Sequence, residues 1–326
     1  MDEFADWVRV AFGLGEGPVA CRVGGRGAVG EIWRLSVGDR EFAVKRPFVA
    51  VDLDDVEREA ALLNHFAAQG ILVPTHVTSC EGRLVVDVPE ALGGGRTRVS
   101  HWIEGTPVAD RTSEVAEAVG TLLAQLHRAA PAAVEPPSNW YTTMVPGEDW
   151  AVLVERSAGQ PWHEALVARE GEHAAYRELV ERAGPGRAPF LVGHRDFHPD
   201  NALLASDGSL RALDWEDAGP VSPARELAKV LVQWHVVGDA VDEDGVARSA
   251  AAYRAAGGPA VLTTVDVFAM VVCNETNFLA KQLGVALDTS AQPERREQAR
   301  EEIEDSLSGY LPGIAALERV LAAASE

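Results

Sequence analysis

The sequence has 326 residues, nearly half of them hydrophobic, and a formal net charge of −21, enough chain for one large domain or two lobes sharing a cleft. No stretch approaches the ~20 uninterrupted apolar residues of a membrane helix. The acidic excess excludes a duplex nucleic-acid partner, which needs a basic face to displace counterions. A cationic small-molecule ligand is favoured instead, although an acidic surface also serves solubility. Cys21, Cys80 and Cys273 lack the spacing of a disulfide framework or a zinc site. The acidic, amphipathic start, "MDEFADWVRVAFG", is unlike a secretory signal and points to the cytoplasm.

After that first helix come short β-branched runs separated by turn residues: "VACRVGG", "EIWRLSV", "REFAVKR", "RLVVDV" and "RTRVSHWI". They predict an antiparallel meander. One helix interrupts it, "DDVEREAALLNHFAAQG", with Val56, Ala60, Leu63 and Ala67 at helical spacing. From "EGTPV" onward the periodicity is helical near 113–129, 163–182, 223–237, 261–285 and 293–323, with an irregular insertion expected from Pro131 to Pro161. The expected fold class is α+β and bilobal: a small antiparallel-sheet lobe with one helix over residues 1–103, and a larger, mostly helical lobe over 104–326. The connection falls near Trp102 to Gly105.

Gly25, Gly27 and Gly30 have G-x-G-x-x-G spacing. Strand-like alternation follows them, so a hairpin tip is expected rather than a dinucleotide-binding turn. Such a tip either lays backbone N–H groups over phosphates or is merely a flexible turn. On the third strand, Lys45 points to the face opposite Val44. Lysine is scarce, with only Lys45, Lys229 and Lys281 in the chain. Lys45 therefore reads as a phosphate ligand anchored by Glu59, which lies beside the apolar stripe of the helix, whereas Glu57 faces solvent.

"GHRDFHPDN" (193–201) precedes two apolar runs around Asp207-Gly208, a dipeptide that favours a two-residue hairpin turn. Asn201 and Asp214 each lie six residues from that turn and are therefore expected opposite one another across the ladder. An amide and a carboxylate supply the oxygen donors that Mg²⁺ takes. Asp196, ahead of the hairpin, is placed to accept the proton of an attacking hydroxyl. His194 reads as a support of the loop. His194 and His198 have metal-ligand spacing only on a helix, which Pro199 opposes.

With these residues in view the chain resembles the aminoglycoside phosphotransferase and choline kinase superfamily, from Gly25 to about Ala228, most specifically in "LVGHRDFHPDNALL" and "RALDWEDAG". The resemblance implies a protein-kinase-like fold and transfer of the γ-phosphoryl group of ATP or GTP to a small-molecule hydroxyl. It further implies Asp196 as base, Asn201 and Asp214 as Mg²⁺ ligands, and a Lys45–Glu59 phosphate clamp. "VSHWIEG" looks like the hinge, where backbone groups of Ser100, His101 and Ile103 hold the base. "LLAQLHRA" looks like a core helix, which makes His127 structural. Asp200 and Glu226 depart from the family pattern of Gly and Asp. Asp214 is followed by "WEDAG" and soon by a helical segment, which leaves no room for the peptide-docking segment of a protein kinase.

Acidic, aromatic and amide residues suited to a cationic acceptor are Trp140, Asp149, Glu216, Asn274 and Glu275; they equally suit an ordinary folded surface. The preference for Arg over Lys, with much Ala, Gly and Pro, is that of a GC-rich, actinomycete-like coding sequence. An antibiotic-inactivating kinase leads the expectations, ahead of a metabolic kinase for an amino alcohol, sugar or nucleoside. A nucleotide-binding pseudokinase is the competing class, though it would be expected to lack one of these residues. A monomer and a homodimer fit the sequence equally.

Overall fold

The computed structural model describes residues 2–27, 30–47, 51–308 and 311–325. Two compact units emerge: Met1–Thr106 with Leu203–Ala205 and Arg211–Glu216, and Pro107–Ala202 with Ser206–Leu210 and Asp217–Glu326. The short segments 203–205 and 211–216 thus join the N-terminal unit, which the expected boundary at residue 103 did not include.

The first unit begins with α1 (Asp2–Ala11) and the strands β1 (Val19–Gly27), β2 (Gly30–Val37) and β3 (Arg40–Pro47). These are followed by α2 (Leu53–Ala68), β4 (His76–Val77), β5 (Val85–Asp87) and β6 (Arg96–His101). The sheet order is β1-β2-β3-β6-β4, with β5 also on β6. Alternation along β3 sorts its faces as expected. Phe42 and Val44 join Leu35, Val99 and the α1 residues Phe4, Ala5 and Val8 in one apolar core, while Lys45 projects from the other face. Asp52 caps α2 by accepting from the Asp54 N–H at 2.9 Å. The helix then buries Val56, Glu59, Ala60, Leu63 and Phe66, one stripe at helical spacing that includes a carboxylate.

Three short strands form a separate sheet: β7 (Thr106–Pro107) flanks β10 (Ala202–Leu204), which pairs with β11 (Leu210–Ala212). Asp207 and Gly208 lie in the turn between β10 and β11, but that connection spans 205–209 rather than the two residues expected; Gly208 has φ 81°.

In the second unit α3 (Ser113–Ala129) is followed by β8 (Ala132–Ala133), α4 (Gly147–Arg156), α5 (His163–Ala168), α6 (Glu170–Ala183) and β9 (Phe190–Gly193). Beyond the hairpin come β12 (Gly219–Val221), α7 (Pro223–His235), α8 (Glu243–Ala255), α9 (Ala269–Leu287), α10 (Pro293–Leu307) and α11 (Ile314–Ala324). Helices α3 and α8 pack closely enough at Gly120 that an added Cβ would lie 2.0 Å from the Ser249 carbonyl oxygen. A second core gathers Trp150, Val154, Trp162, Leu166, Leu279, Leu283 and Ile303 from α4, α5, α9 and α10. No helix among the described residues is long and apolar enough to cross a membrane.

Four helical expectations need correction. The 163–182 segment breaks at Arg169 (φ −97°, ψ 3°), and the 293–323 segment stops at Leu307 and resumes after Pro312-Gly313. The 261–285 helix starts only at Ala269, after an extended Thr264 and a single 3₁₀ turn. Within the insertion expected to be irregular, Gly147–Arg156 forms a helix whose Trp150 and Val154 are buried.

Candidate active site

In the first unit the charged face of the sheet is organised by register. Lys45 and Arg98 are Cα partners across β3 and β6, so both project toward α2. Glu59 was expected to anchor Lys45. It does not: Arg98 Nη1 donates to Glu59 Oε2 at 2.7 Å, and His76 Nε2 lies 3.3 Å from Glu59 Oε1. The cause is the guanidinium, which forks between two carboxylates. Its Nη2 donates to Glu216. Lys45 Nζ in turn donates to Glu216 Oε1 at 2.5 Å and to Asp214 Oδ1 at 3.4 Å. Burial would raise the Glu59 carboxyl, but the His76 hydrogen bond and the Arg98 charge outweigh it and bring the pKa down to about 2.

Asp214 and Glu216 are held on either side of Trp215. Its ring packs on Phe66 of α2 with centroids 5.1 Å apart, and its Nε1 donates to the Ala212 carbonyl. Asp214 has φ 56°, a left-handed conformation uncommon for a non-glycine residue and typical of functional sites. Glu216, expected to face the acceptor, instead completes the Lys45–Arg98 cluster.

Gly25 and Gly27 lie in β1, paired with Ile32 and Gly30 respectively. The hairpin reading therefore holds up to the tip, Ala28 and Val29, which lies outside the described residues. At Gly30 an added Cβ would come within 2.7 Å of the Arg46 carbonyl oxygen, so a close backbone approach explains this glycine. Around the expected hinge two backbone donors are committed. Ser100 and His101 are ladder residues of β6, a strand paired on both edges. The His101 N–H donates to the Thr75 carbonyl and the Trp102 N–H to that of Glu41, so neither donor is left for a base. Ile103 is buried.

In the second unit β9 pairs with β12 and delivers the chain into the 194–201 loop. Glu226, buried at the start of α7, accepts from the Arg195 N–H at 2.5 Å and from His127 Nε2 at 2.9 Å, while His127 Nδ1 bonds the Tyr253 hydroxyl. His127 is thus structural, and Glu226 serves as the loop's anchor. Arg195 has φ 65°. Its guanidinium donates to the Asp217 and Ala218 carbonyls and lies 4.4 Å from the Tyr141 ring. His194 Nδ1 accepts from the Asp196 N–H, the supporting role expected of it.

Asp196 is the most heavily bonded carboxylate of the loop. Lys229 Nζ donates to its Oδ1 at 3.0 Å, Asn201 Nδ2 donates to its Oδ2 at 3.0 Å, and His198 Nε2 lies 3.4 Å from Oδ2. Burial opposes ionisation, yet the Lys229 charge and His198 outweigh it and hold the pKa well below the usual carboxylate range. Lys229 and Arg98 are the two residues that sequence reasoning missed. The scarcity of lysine was the one available signal for the first.

Asn201 also donates from Nδ2 to the Asp196 carbonyl. With the amide nitrogen so committed, its Oδ1 is the atom that suits a hard cation. Asp214 supplies carboxylate oxygens. Both donors fit magnesium chemically; Asn201 belongs to the second unit and Asp214 to the first. Among the described residues no cluster of three or more His, Cys, Asp or Glu side chains suits a metal.

Of the expected acceptor residues, Trp140 and Asn274 bond each other (Nε1 to Oδ1, 3.0 Å), and Asn274 Nδ2 donates to Glu275 Oε1. These polar groups brace the insertion against α9. Asp149 is exposed on α4. Glu275 is buried, and burial pushes its pKa up to about 7, with Asp196 adding to the rise and Lys229 opposing it. It lines a half-open cavity of ≈ 40 Å³ together with Trp150 and His173, stacked at 4.0 Å, and with Tyr176 and Glu172.

A carboxylate kept ionised beside an amide, in a loop between β9 and a hairpin, is an arrangement for orienting a hydroxyl. The family model for the phosphotransferase enzyme family matches residues 21–263. The chain belongs to that family. Solved structures agree in fold. An amicoumacin kinase in complex with AMP-PNP, Ca²⁺ and Ami is 16% identical, with 93% of each chain covered and a TM-score of 0.63. A spectinomycin phosphotransferase in complex with ADP and spectinomycin is 13% identical, covering 99% of this chain and 98% of its own, with a TM-score of 0.62. The ethanolamine kinase of Plasmodium vivax is 13% identical, with 93% and 87% covered and a TM-score of 0.56. No curated protein matches the sequence. The chain is a phosphotransferase with the fold of small-molecule kinases, as its motifs implied.

Proposed function

We propose that this phosphotransferase moves the γ-phosphoryl group of ATP or GTP to a hydroxyl of a cationic small molecule in the cytoplasm, with Asp196 receiving the hydroxyl proton. The observation that carries this reading is the state of Asp196: ionised, bonded at both oxygens and presented by a braced loop. Phosphoryl transfer asks mainly for positioning and charge neutralisation. On the first unit, Lys45 is the proposed phosphate ligand, supported by Glu216 and Arg98. Asn201 and Asp214 are the proposed holders of magnesium, which when bound neutralises phosphate charge.

An antibiotic acceptor is the leading substrate reading, supported by the amicoumacin and spectinomycin kinases of like fold and by Glu275, whose carboxyl an ammonium group would ionise. A metabolic kinase for a small amino alcohol is the second reading, supported by the ethanolamine kinase of like fold. Nucleotide consumption with a panel of aminoglycosides, amino alcohols and nucleosides tests the proposal. Magnesium-dependent turnover that disappears in Asp196→Ala is expected; turnover that survives the substitution refutes the role of Asp196.

A further inference from the structure

Lys229 is only 1% exposed and sits on α7 between Ala228 and Val230, both buried. An apolar side chain would fill that place without the cost of desolvating an ammonium, which a folded chain bears only against good compensation. The compensation is specific: Nζ donates to the Arg195 carbonyl at 2.5 Å and to Asp196 Oδ1 at 3.0 Å. Its charge therefore sits against the peptide and the side chain of one two-residue segment of the loop.

A carboxylate offers about four lone-pair positions. At Asp196 the two on Oδ2 face Asn201 Nδ2 and His198 Nε2, and one on Oδ1 faces Lys229. One remains, on Oδ1. We infer that Lys229 is a positioning residue of the phosphoryl transfer, fixing Asp196 so that the remaining Oδ1 lone pair receives the acceptor hydroxyl. This rests on the reading of Asp196 as base.

The step balances without a further reactant. The hydroxyl oxygen forms the new bond to the γ-phosphorus, the bond from that phosphorus to the bridging oxygen breaks with its electron pair leaving on the nucleoside diphosphate, and the hydroxyl proton passes to Oδ1. Asp196 orients the hydroxyl and receives its proton. Lys229 is buried and committed to the loop, so its effect belongs in turnover and not in binding.

Two measurements on the full chain test this. With only three lysines, ¹⁵N-lysine labelling gives an ammonium spectrum in which Lys229 is identified by its loss in Lys229→Met. A slowly exchanging Lys229 signal that shifts in Asp196→Asn is expected, and a signal indifferent to Asp196 overturns the inference whether or not an acceptor is known. With an acceptor that the wild type turns over, Lys229→Met should lower kcat about 100-fold, the low end of the range for proton-transfer groups, and leave KM for nucleotide and acceptor within about 3-fold. Lys229→Gln, which keeps a donor for the Arg195 carbonyl, should fall between and serves if the methionine variant does not fold. Wild-type kcat in a folded variant, or a change confined to KM, overturns the inference. Loss of Asp196 without effect on turnover instead overturns the functional reading.

Discussion

Replacing Arg98 by methionine removes the guanidinium and leaves Glu59, 9% exposed, with only His76 beside it. In the native chain the Glu59 pKa stands at about 2 against an ordinary 4.5, a difference worth about 3 kcal/mol of stability at neutral pH. His76 and Arg98 share that difference, and breaking a buried pair from one side costs about 3–5 kcal/mol in general. Arg98→Met should therefore lose about 3 kcal/mol at pH 7 in urea unfolding.

The pH dependence carries a sign. A depressed carboxyl pKa gives stability that is fully present above 4.5 and lost as the pH falls toward 2. Without Arg98 the carboxyl keeps His76 but loses the other partner that holds its pKa down, so the variant should lose less stability than the wild type as the pH falls. Arg98→Met combined with Glu59→Met should recover most of the loss, since an apolar pair can replace a buried ionic one. An Arg98→Met chain within 1 kcal/mol of the wild type, or one with the same pH slope, refutes the assignment of Arg98 as the partner of Glu59.

Three further outcomes are expected. Gly193→Ala puts a Cβ 2.0 Å from Glu226 Oε2 and 2.5 Å from Val221; it should lower both the melting temperature and kcat, and wild-type values in both would show that Glu226 does not anchor the loop. Glu275 has a raised pKa of about 7, so stability it gives at low pH is lost as the pH rises from 4.5 through 7. Glu275→Gln should accordingly be more stable than the wild type at pH 8 by up to about 3 kcal/mol, and urea unfolding at pH 5 and pH 8 reads the difference. Lys45→Met should weaken ADP binding about 10- to 100-fold, the worth of a charged hydrogen bond, as measured by calorimetric titration; unchanged affinity would return Lys45 to an ordinary surface role.

The pattern of legibility follows the range of the interactions. Lys45 on the face opposite Val44 and the Asp207-Gly208 turn were readable because alternation and turn chemistry act over a few residues. The partner of Glu59 was not: helix periodicity placed Glu59 on the buried face of α2, but Arg98 is 39 residues away and reaches it only through the β3–β6 register. Lysine scarcity marked Lys229, but its partner was unreadable for the same reason: Asp196 lies 33 residues away, and on its helix Lys229 looks only like a core misfit. At the expected hinge, motif matching does not reveal that the His101 and Trp102 N–H groups are already committed to the Thr75 and Glu41 carbonyls. The break at Arg169 interrupts a stretch whose apolar periodicity continues, whereas the one after Leu307 is marked by Pro312 and Gly313, which the expected 293–323 segment ran through.

The most direct test of the central claim is transfer of label from γ-³²P-ATP to an acceptor by the wild type and by Asp196→Asn. The account predicts a phosphorylated small-molecule product with the wild type and, with folded Asp196→Asn, a turnover lower by about 10²–10⁴ with nucleotide affinity retained. Equal transfer by the two proteins would contradict it.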